Sequence, residues 1–270
     1  GLLASMLLGA CTQTPTPTVE TFRFRLALDA STAPLVEELV AAYRAERPQV
    51  TIELVRAPNA ERALQALQEA QADLISVSWL PAGADRQVSN GQKAGEEVWY
   101  RPFARDAIVM ITHPSNPVGD LTLLQLRDIF QGQTLFWRDL GGLEIDILPV
   151  SREEGAGTRA SFESLVMEGR NVTPTAVVMP SGRAVVEYVS AHPGAIGYVS
   201  LGWLAPAVNL LALEGTTPSP GALEEGRYLL ARPFYLVAER PPGDGLAEFV
   251  EWVSAGKGQE IVRQHYGPVP

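Results

Sequence analysis

From Phe22 the chain alternates, with Phe22, Phe24, Leu26 and Leu28 apolar and Arg23 and Arg25 between them, which predicts a half-buried strand. Residues 29–32 turn the chain. Leu35, Val36, Leu39, Val40 and Tyr43 then recur at helical spacing, with Pro34 in the first turn and Pro48 closing the segment. Val50, Ile52 and Leu54 alternate as a second strand, residues 60–70 form an alanine-rich helix, and Leu74–Val77 is a third strand. This βαβαβ order predicts a parallel sheet with right-handed crossovers. After a polar, glycine-containing stretch at 82–97, strands are expected at Ala107–Thr112, Ile147–Val150, Ala176–Met179 and Ala195–Val199. Helices are expected at Leu123–Phe130, capped by Thr122, and at Arg159–Met167 and Ala184–Ser190, which implies a second α/β unit. Phe234–Ala238 reads as another strand, and Leu246–Val253 and Gln259–Gln264 as amphipathic helices whose natural place is back on the first unit. That return makes two lobes joined by two strands, with a cleft between them.

The N-terminal segment has a different pattern. Gly1 to Leu8 are almost wholly apolar, no charge precedes Glu20, and the run ends in Leu8-Gly9-Ala10-Cys11, which looks like a lipobox. In that motif small residues admit a signal peptidase, and the cysteine thiol is then diacylated. The alternative is a buried cysteine after a hydrophobic strand. The Pro/Thr tract over residues 12–18 cannot bury a core and behaves as an extended linker, which favours the lipoprotein. Without an initiator Met or a basic region before the apolar run, the sequence is read as starting inside its signal peptide. The expectation is a signal-peptide remnant at 1–10, and a lipidated Cys11 with its tether at 11–20.

Charge and cysteine usage narrow the function classes. Lys and Arg number 21 against 31 Asp and Glu, a net charge of −10 with no basic run, which argues against a nucleic-acid partner. One cysteine excludes a disulfide framework or a CxxC site, and three scattered histidines, His113, His192 and His265, leave little for zinc. No metal or other cofactor is expected. No later stretch is apolar for the ~18 residues a spanning helix needs.

The most informative loop is Val150 to Arg159, a strand-to-helix junction containing Arg152, Gly155, Ala156, Gly157 and Thr158. Unpaired amides and the helix dipole suit an anion there, the glycines allow close approach, and the Thr158 hydroxyl adds a donor. Arg152 can present a planar fork to two oxygens of an oxyanion. Each residue alone has a plainer reading as a turn, a cap or a solvated arginine. Ser31 and Thr32 precede a helix in the same way, as a second anion-facing terminus or a simple N-cap. Ser78 and Trp79 close the third strand at the carboxyl edge where open α/β sheets bind ligands, although Trp79 serves equally as core. Ser181-Gly182-Arg183 is favoured as a cap.

Enzyme motifs fail. Gly-x-Ser-x-Gly, Walker and His-Glu-x-x-His patterns are missing, and Ser254-Ala255-Gly256-Lys257 matches Ser-x-x-Lys without its partner motifs. Gly155 to Ala160 fits the loose dinucleotide fingerprint, but residues 175–181 supply no acidic residue for a ribose.

Taken in order, several strings resemble the phosphate-binding (PstS-like) proteins of bacterial phosphate ABC transporters, within the periplasmic substrate-binding family. They are Ala30 to Leu35, Ala72 to Ser78, Asn116 to Val118, Leu121-Thr122, Ile129 to Gly132 before Trp137, Pro149 to Arg159 with Phe162, and Pro193 to Val199. The resemblance covers about residues 24–270. It implies a type II two-lobed periplasmic-binding-protein fold, each lobe a mixed, mainly parallel sheet flanked by helices, with two crossover strands. Lobe one would comprise 21–103 with 233–270, and lobe two 104–232. It further implies that an oxyanion meets Thr32, the Ala33 amide and Ser78 from lobe one, and Arg152, the Ala156 and Gly157 amides and Thr158 from lobe two. No catalysis is implied. Ala156 replaces a common serine, Pro58 removes an N–H and leaves Asn59 as substitute, and Ser78-Trp79 carries no carboxylate of the kind some members use to accept a phosphate proton. Losing two or three such hydrogen bonds, each worth ~0.5 to 3 kcal/mol, weakens phosphate or admits another oxyanion. The expected protein is an extracytoplasmic, lipid-anchored monomer that passes phosphate or a similar anion to an ABC permease. The alternatives are a surface sensor or interaction module with an altered cleft and, further off, a phosphoester hydrolase.

Overall fold

A computed structural model describes residues 21–80 and 98–269; the leader, Cys11, the tether and the polar stretch at 82–97 lie outside the described residues. The first part of the chain comprises β1 (Phe22–Leu28), α1 (Ala33–Glu46), β2 (Val50–Arg56), α2 (Ala60–Gln68), β3 (Leu74–Val77), β4 (Trp99–Thr112), β5 (Asp120–Leu121) and α3 (Leu123–Gln131). There follow β6 (Leu148–Arg152), α4 (Gly157–Phe162), β7 (Val177–Met179), α5 (Gly182–Ala191), β8 (Ala195–Ser200), β9 (Asn209–Leu210) and β10 (Ala212–Leu213). The chain closes with α6 (Pro220–Glu224), β11 (Ala231–Ala238), α7 (Asp244–Ser254) and α8 (Gly256–His265).

The predicted βαβαβ unit is present, since β1 pairs in parallel with both β2 and β3. On the far side, β6 pairs in parallel with β7 and β8. Between these two parallel sets run β4 and β11, antiparallel to each other and to their outer neighbours. The order β2-β1-β3-β11-β4-β8-β6-β7, with β9 against β4, makes one mixed sheet. Residues 99–107 of β4 face β11 and residues 108–112 face β8, so this single strand passes from one parallel set to the other. β11 carries a bulge between Phe234 and Tyr235.

Successive strand side chains point to opposite faces. Leu26 therefore joins a core with Leu35, Leu39 and Tyr43 of α1, Phe249 of α7 and Val262 of α8, whereas Ala27 joins Ile75, Val77 and the alanines of α2. Small side chains at Ala60, Ala63 and Ala66 allow α2 to lie close to the sheet. The C-terminal helices do pack against the first unit. A separate core gathers Ile108, Phe130, Trp137, Phe162, Val185 and Tyr198. Local chemistry starts the helices: Thr122 and Gln125 form a capping box on α3 and Ser181 caps α5, as the sequence reading has both, while Asn59, read there as a substitute anion donor, caps α2.

Several boundaries differ from the sequence reading, among them α8, which starts at Gly256 rather than Gln259. β4 begins at Trp99 rather than Ala107, and β11 at Ala231 rather than Phe234, because Arg101, Arg105, Asp106 and Arg232 interrupt the apolar pattern while remaining in the strands. The helix expected at Arg159–Met167 starts at Gly157, and its last five residues, Glu163–Met167, widen into a π turn that ends at Glu168 with φ of 49°.

Phe162 stacks on Tyr198 with centroids 4.1 Å apart and planes 4° from parallel, and burial pushes the Tyr198 phenol up to about 12. Phe162→Ala is expected to cost about 3–5 kcal/mol, read from the urea midpoint, because it opens a cavity against rings that cannot collapse onto it.

Candidate functional site

Two strand-to-helix turns meet beside the crossover strands. From one side come the turn after β1, the end of β3 and the start of α2; from the other comes the turn between β6 and α4. The Ser31 and Thr158 hydroxyls, 127 positions apart, lie 2.9 Å from each other and are buried. A Cβ added to Gly157 would stand 2.4 Å from the Ser78 Oγ, and one added to Gly155, where φ is +81°, would stand 2.9 Å from the Asn59 Nδ2. Gly157 thus leaves room for the Ser78 hydroxyl, which Asp29 holds in place, and Gly155 is called for by its left-handed backbone. Ser31, Asn59, Ser78, Gly155, Gly157 and Thr158 are accordingly brought together.

The donors of the turn after β1 and of Ser78 have internal partners. The Ser31 and Thr32 amides donate to the Asp29 Oδ1 at 2.8 and 2.9 Å, and the Ser78 amide and hydroxyl donate to the Asp29 Oδ2 at 2.7 Å each. The Ala33 amide donates to the Asp29 carbonyl at 3.1 Å, and the Thr32 hydroxyl reaches the carbonyls of Ser76 at 3.1 Å and Asp29 at 3.3 Å. Thr32 and Ala33 therefore sit at the turn but are bonded inward. Asn59 Oδ1 accepts the Arg62 amide as the cap of α2.

In the opposite turn, Arg152 is 3% exposed, and its Nε and Nη2 grip Glu153 at 2.9 and 2.7 Å. Its amide donates to the Tyr198 Oη at 3.3 Å, and its carbonyl accepts from Arg159 Nη1 at 3.1 Å. Arg159 is itself held by Glu163, whose hydrogen bond raises the guanidinium above its ordinary value. The Ala156 amide donates to the Glu153 carbonyl at 3.3 Å. Among the described residues the Gly157 and Thr158 amides, which open α4, have no hydrogen-bond acceptor.

A buried ion pair joins this turn to the crossover strands. Arg232 of β11 binds Asp106 of β4 at 3.0 Å, with exposures of 5% and 0%. Its Nη1 and Nη2 donate to Ser161 Oγ and Thr158 Oγ1 at 3.2 and 3.3 Å. Burial pushes the Asp106 carboxyl above its ordinary value, opposed by Arg232, the Ser200 hydroxyl and the Leu201 amide. Beside the pair lies a cavity of about 360 Å³ lined by Ser78, Trp79, Ser161, Ser164, Arg232 and Tyr235. Trp79 therefore both lines this cavity and packs on the small-residue core. A larger hollow of about 880 Å³, along Tyr100, Arg101, Arg105 and Tyr228, contains none of the site residues expected from sequence. Trp203 adds another contact between the two sides, its Nε1 donating to the Ala30 carbonyl at 3.0 Å.

Sequence reading missed Asp29, Asp106, Glu153, Ser161, Arg232 and Trp203. For Asp29 a signal existed, because an Asp two positions ahead of Ser-Thr forms an Asx-type turn whose carboxylate takes the next amides. Lone charges inside apolar strands flag Asp106 and Arg232, but not that they pair.

The profile of the PBP superfamily domain matches residues 12–256. Among curated relatives, the phosphate-binding protein PstS of Borreliella burgdorferi is 25% identical over 174 residues, covering 60% of this chain and 62% of that protein. PstS of Pseudomonas aeruginosa is 28% identical over 252 residues, covering 84% and 77%. The match thus spans about three fifths of the Borreliella protein's length, and 44% of that of PstS 2 from Streptococcus agalactiae. A solved chain from Clostridium perfringens, assigned as a phosphate ABC transporter substrate-binding protein and holding bound phosphate, superposes with a TM-score of 0.81 at 26% identity over 92% of this chain and 100% of its own. An ABC-type phosphate transport receptor from Vibrio cholerae shares the fold, with a TM-score of 0.70 at 24% identity over 91% of this chain and 100% of its own.

Two outcomes test this geometry. Arg232→Met, which strands the Asp106 carboxyl in the interior, is expected to cost about 3–5 kcal/mol in urea unfolding, whereas adding Asp106→Leu recovers most of that loss. Gly157→Ala is expected to hold the two turns apart, read as a larger radius of gyration by small-angle scattering.

Proposed function

Since the chain belongs to the PBP superfamily, we propose that it is a solute-binding protein that captures inorganic phosphate, or a similar tetrahedral oxyanion, and delivers it to an ABC importer. In this reading, residues 21–103 with 233–270 form one lobe and 104–232 the other, closing on the anion by bending of β4 and β11. The observation that carries it is the meeting of the two turns, where the Ser31 and Thr158 hydroxyls touch beside buried Arg152 and the Gly157 and Thr158 amides. Phosphate is the ligand named for the Borreliella and Pseudomonas relatives and bound in the Clostridium protein.

The anion is held by local donors rather than by overall charge, which is why a net charge of −10 is compatible with it. Ser31, Thr32, Ala33, Asn59 and Ser78 form one wall, and Arg152, Gly155, Ala156, Gly157 and Thr158 the other. One chain supplies both walls, so a monomer suffices. Cys11 carries the lipid, the Pro/Thr tether lets the folded part reach a permease, and the protein works outside the cytoplasmic membrane. Binding, transfer and release need no bond-making step.

A second reading, a sensor or interaction module on the same fold, is favoured by one observation: the amides of the first wall already serve Asp29.

Calorimetric titration of the chain freed of bound anion, with phosphate and then sulfate, molybdate and tungstate, separates the two. Micromolar or tighter phosphate binding, about −8 kcal/mol or better, is expected, and silence with all four anions favours the module. Arg152→Ala is expected to weaken phosphate about 10- to 150-fold, the loss of a charged hydrogen bond worth ~1.5–3 kcal/mol. Unchanged affinity removes Arg152 from the site.

A further inference from the structure

Where a bound oxyanion would draw on first-lobe donors, a carboxylate of the chain already sits. Asp29 closes β1, is 1% exposed, and accepts four hydrogen bonds through its side chain, from the Ser31 and Thr32 amides on Oδ1 and from the Ser78 amide and hydroxyl on Oδ2. Its carbonyl takes the Ala33 amide and the Thr32 hydroxyl. Of the other donors expected on this wall, the Thr32 hydroxyl also reaches the Ser76 carbonyl, the Ser31 hydroxyl points to Thr158 and the Asn59 amide group toward Gly155. The Asp29 Oδ2 also lies 3.7 Å from where a Cβ on Gly157 would stand, so the carboxylate borders the opposite turn.

Resting on the oxyanion reading above, we propose that Asp29 is the specificity-determining residue of the cleft, a resident anion that takes the first wall's share of the donors. The ligand is then held by the opposite wall, through the Arg152 N–H groups that Glu153 leaves free, the Gly157 and Thr158 amides and the Ser31–Thr158 hydroxyl pair. An amide that already serves a charged acceptor at 2.7–2.9 Å has no proton left for a ligand oxygen. Two like charges in contact also repel in a site shielded from water. Asp29 therefore lowers affinity for oxyanions, most for those of highest charge.

The test uses the full chain and inorganic phosphate. Asp29→Asn keeps an oxygen for the Ser31 and Thr32 amides and removes the charge, while Asp29→Ser removes the carboxylate altogether. In calorimetric titrations both variants are expected to bind phosphate at least about tenfold more tightly than the parent. If the parent binds phosphate and neither variant binds it more tightly, this inference is overturned and the oxyanion reading stands. Silence from the parent and both variants overturns both. Because Asp29 also ties together the turn before α1, a second measurement avoids substitution: amide NMR shifts of the parent during a phosphate titration. The Gly157 and Thr158 amides are expected to move and those of Ser31 and Thr32 to stay, and equal movement in all four overturns the proposal.

Discussion

Two charges buried where β4 and β11 run side by side set the terms for everything on either side. Asp106 and Arg232 are direct partners in the antiparallel ladder, so a slip of one residue would oppose Asp106 to Ala231 or Pro233 and leave both charges unpaired. Removing ions from water costs several kcal/mol each, and the pair recovers this only because the remaining hydrogen-bonding capacity is used. Ser200 and the Leu201 amide complete the carboxylate, while Ser161 and Thr158 complete the guanidinium. The pair is therefore better understood as fixing register than as adding stability. The two strands that connect the parallel sets can pair in one alignment, and that alignment decides which turns meet.

Given that alignment, the two turns use opposite solutions to the same electrostatic problem. A strand that runs into a helix leaves unbonded amides and a positive dipole end at the junction. After β1 the chain answers with its own carboxylate, Asp29, which satisfies two amides of the turn and Ser78 besides. After β6 the Gly157 and Thr158 amides stay open, and the nearest carboxylate, Glu153, is turned onto Arg152. The turn after β1 is thus neutralised from within, whereas the turn after β6 keeps two open amides beside the Arg152–Glu153 pair. Gly157 has no side chain to separate them, and the hydroxyls of Ser31 and Thr158 can touch.

How much of this was legible follows from which forces act locally. Alternation at Phe22–Leu28 and the helical spacing from Leu35 to Tyr43 marked β1 and α1, because burial there follows from one-sided packing that periodicity records. The Val150–Arg159 turn was legible from composition, since glycines, a threonine and an arginine at a strand end carry a distinct chemistry. The early parts of β4 and β11 were not. Arg101, Arg105, Asp106 and Arg232 read as polar interruptions, and only a partner more than a hundred positions away makes Asp106 a core residue. The role of Asp29 was hidden for a related reason: in a linear reading a carboxylate before Ser-Thr is a turn former, and its contact with Ser78 exists only once β3 lies beside β1.

The same pair also links the crossover strands to the two turns. Arg232 bonds Asp106 in the neighbouring strand and, through its terminal nitrogens, the Thr158 and Ser161 hydroxyls of α4. Thr158 in turn meets Ser31 across the cleft. If the lobes part, Ser31 leaves Thr158, and the hydroxyl that Arg232 holds is exposed to solvent or to a ligand oxygen. In that reading an anion placed there would replace the lost contact and share a guanidinium already anchored by Asp106. In the proposed function, binding and strand bending would then act on one hydrogen-bond network, with closure completing that network rather than engaging a separate latch.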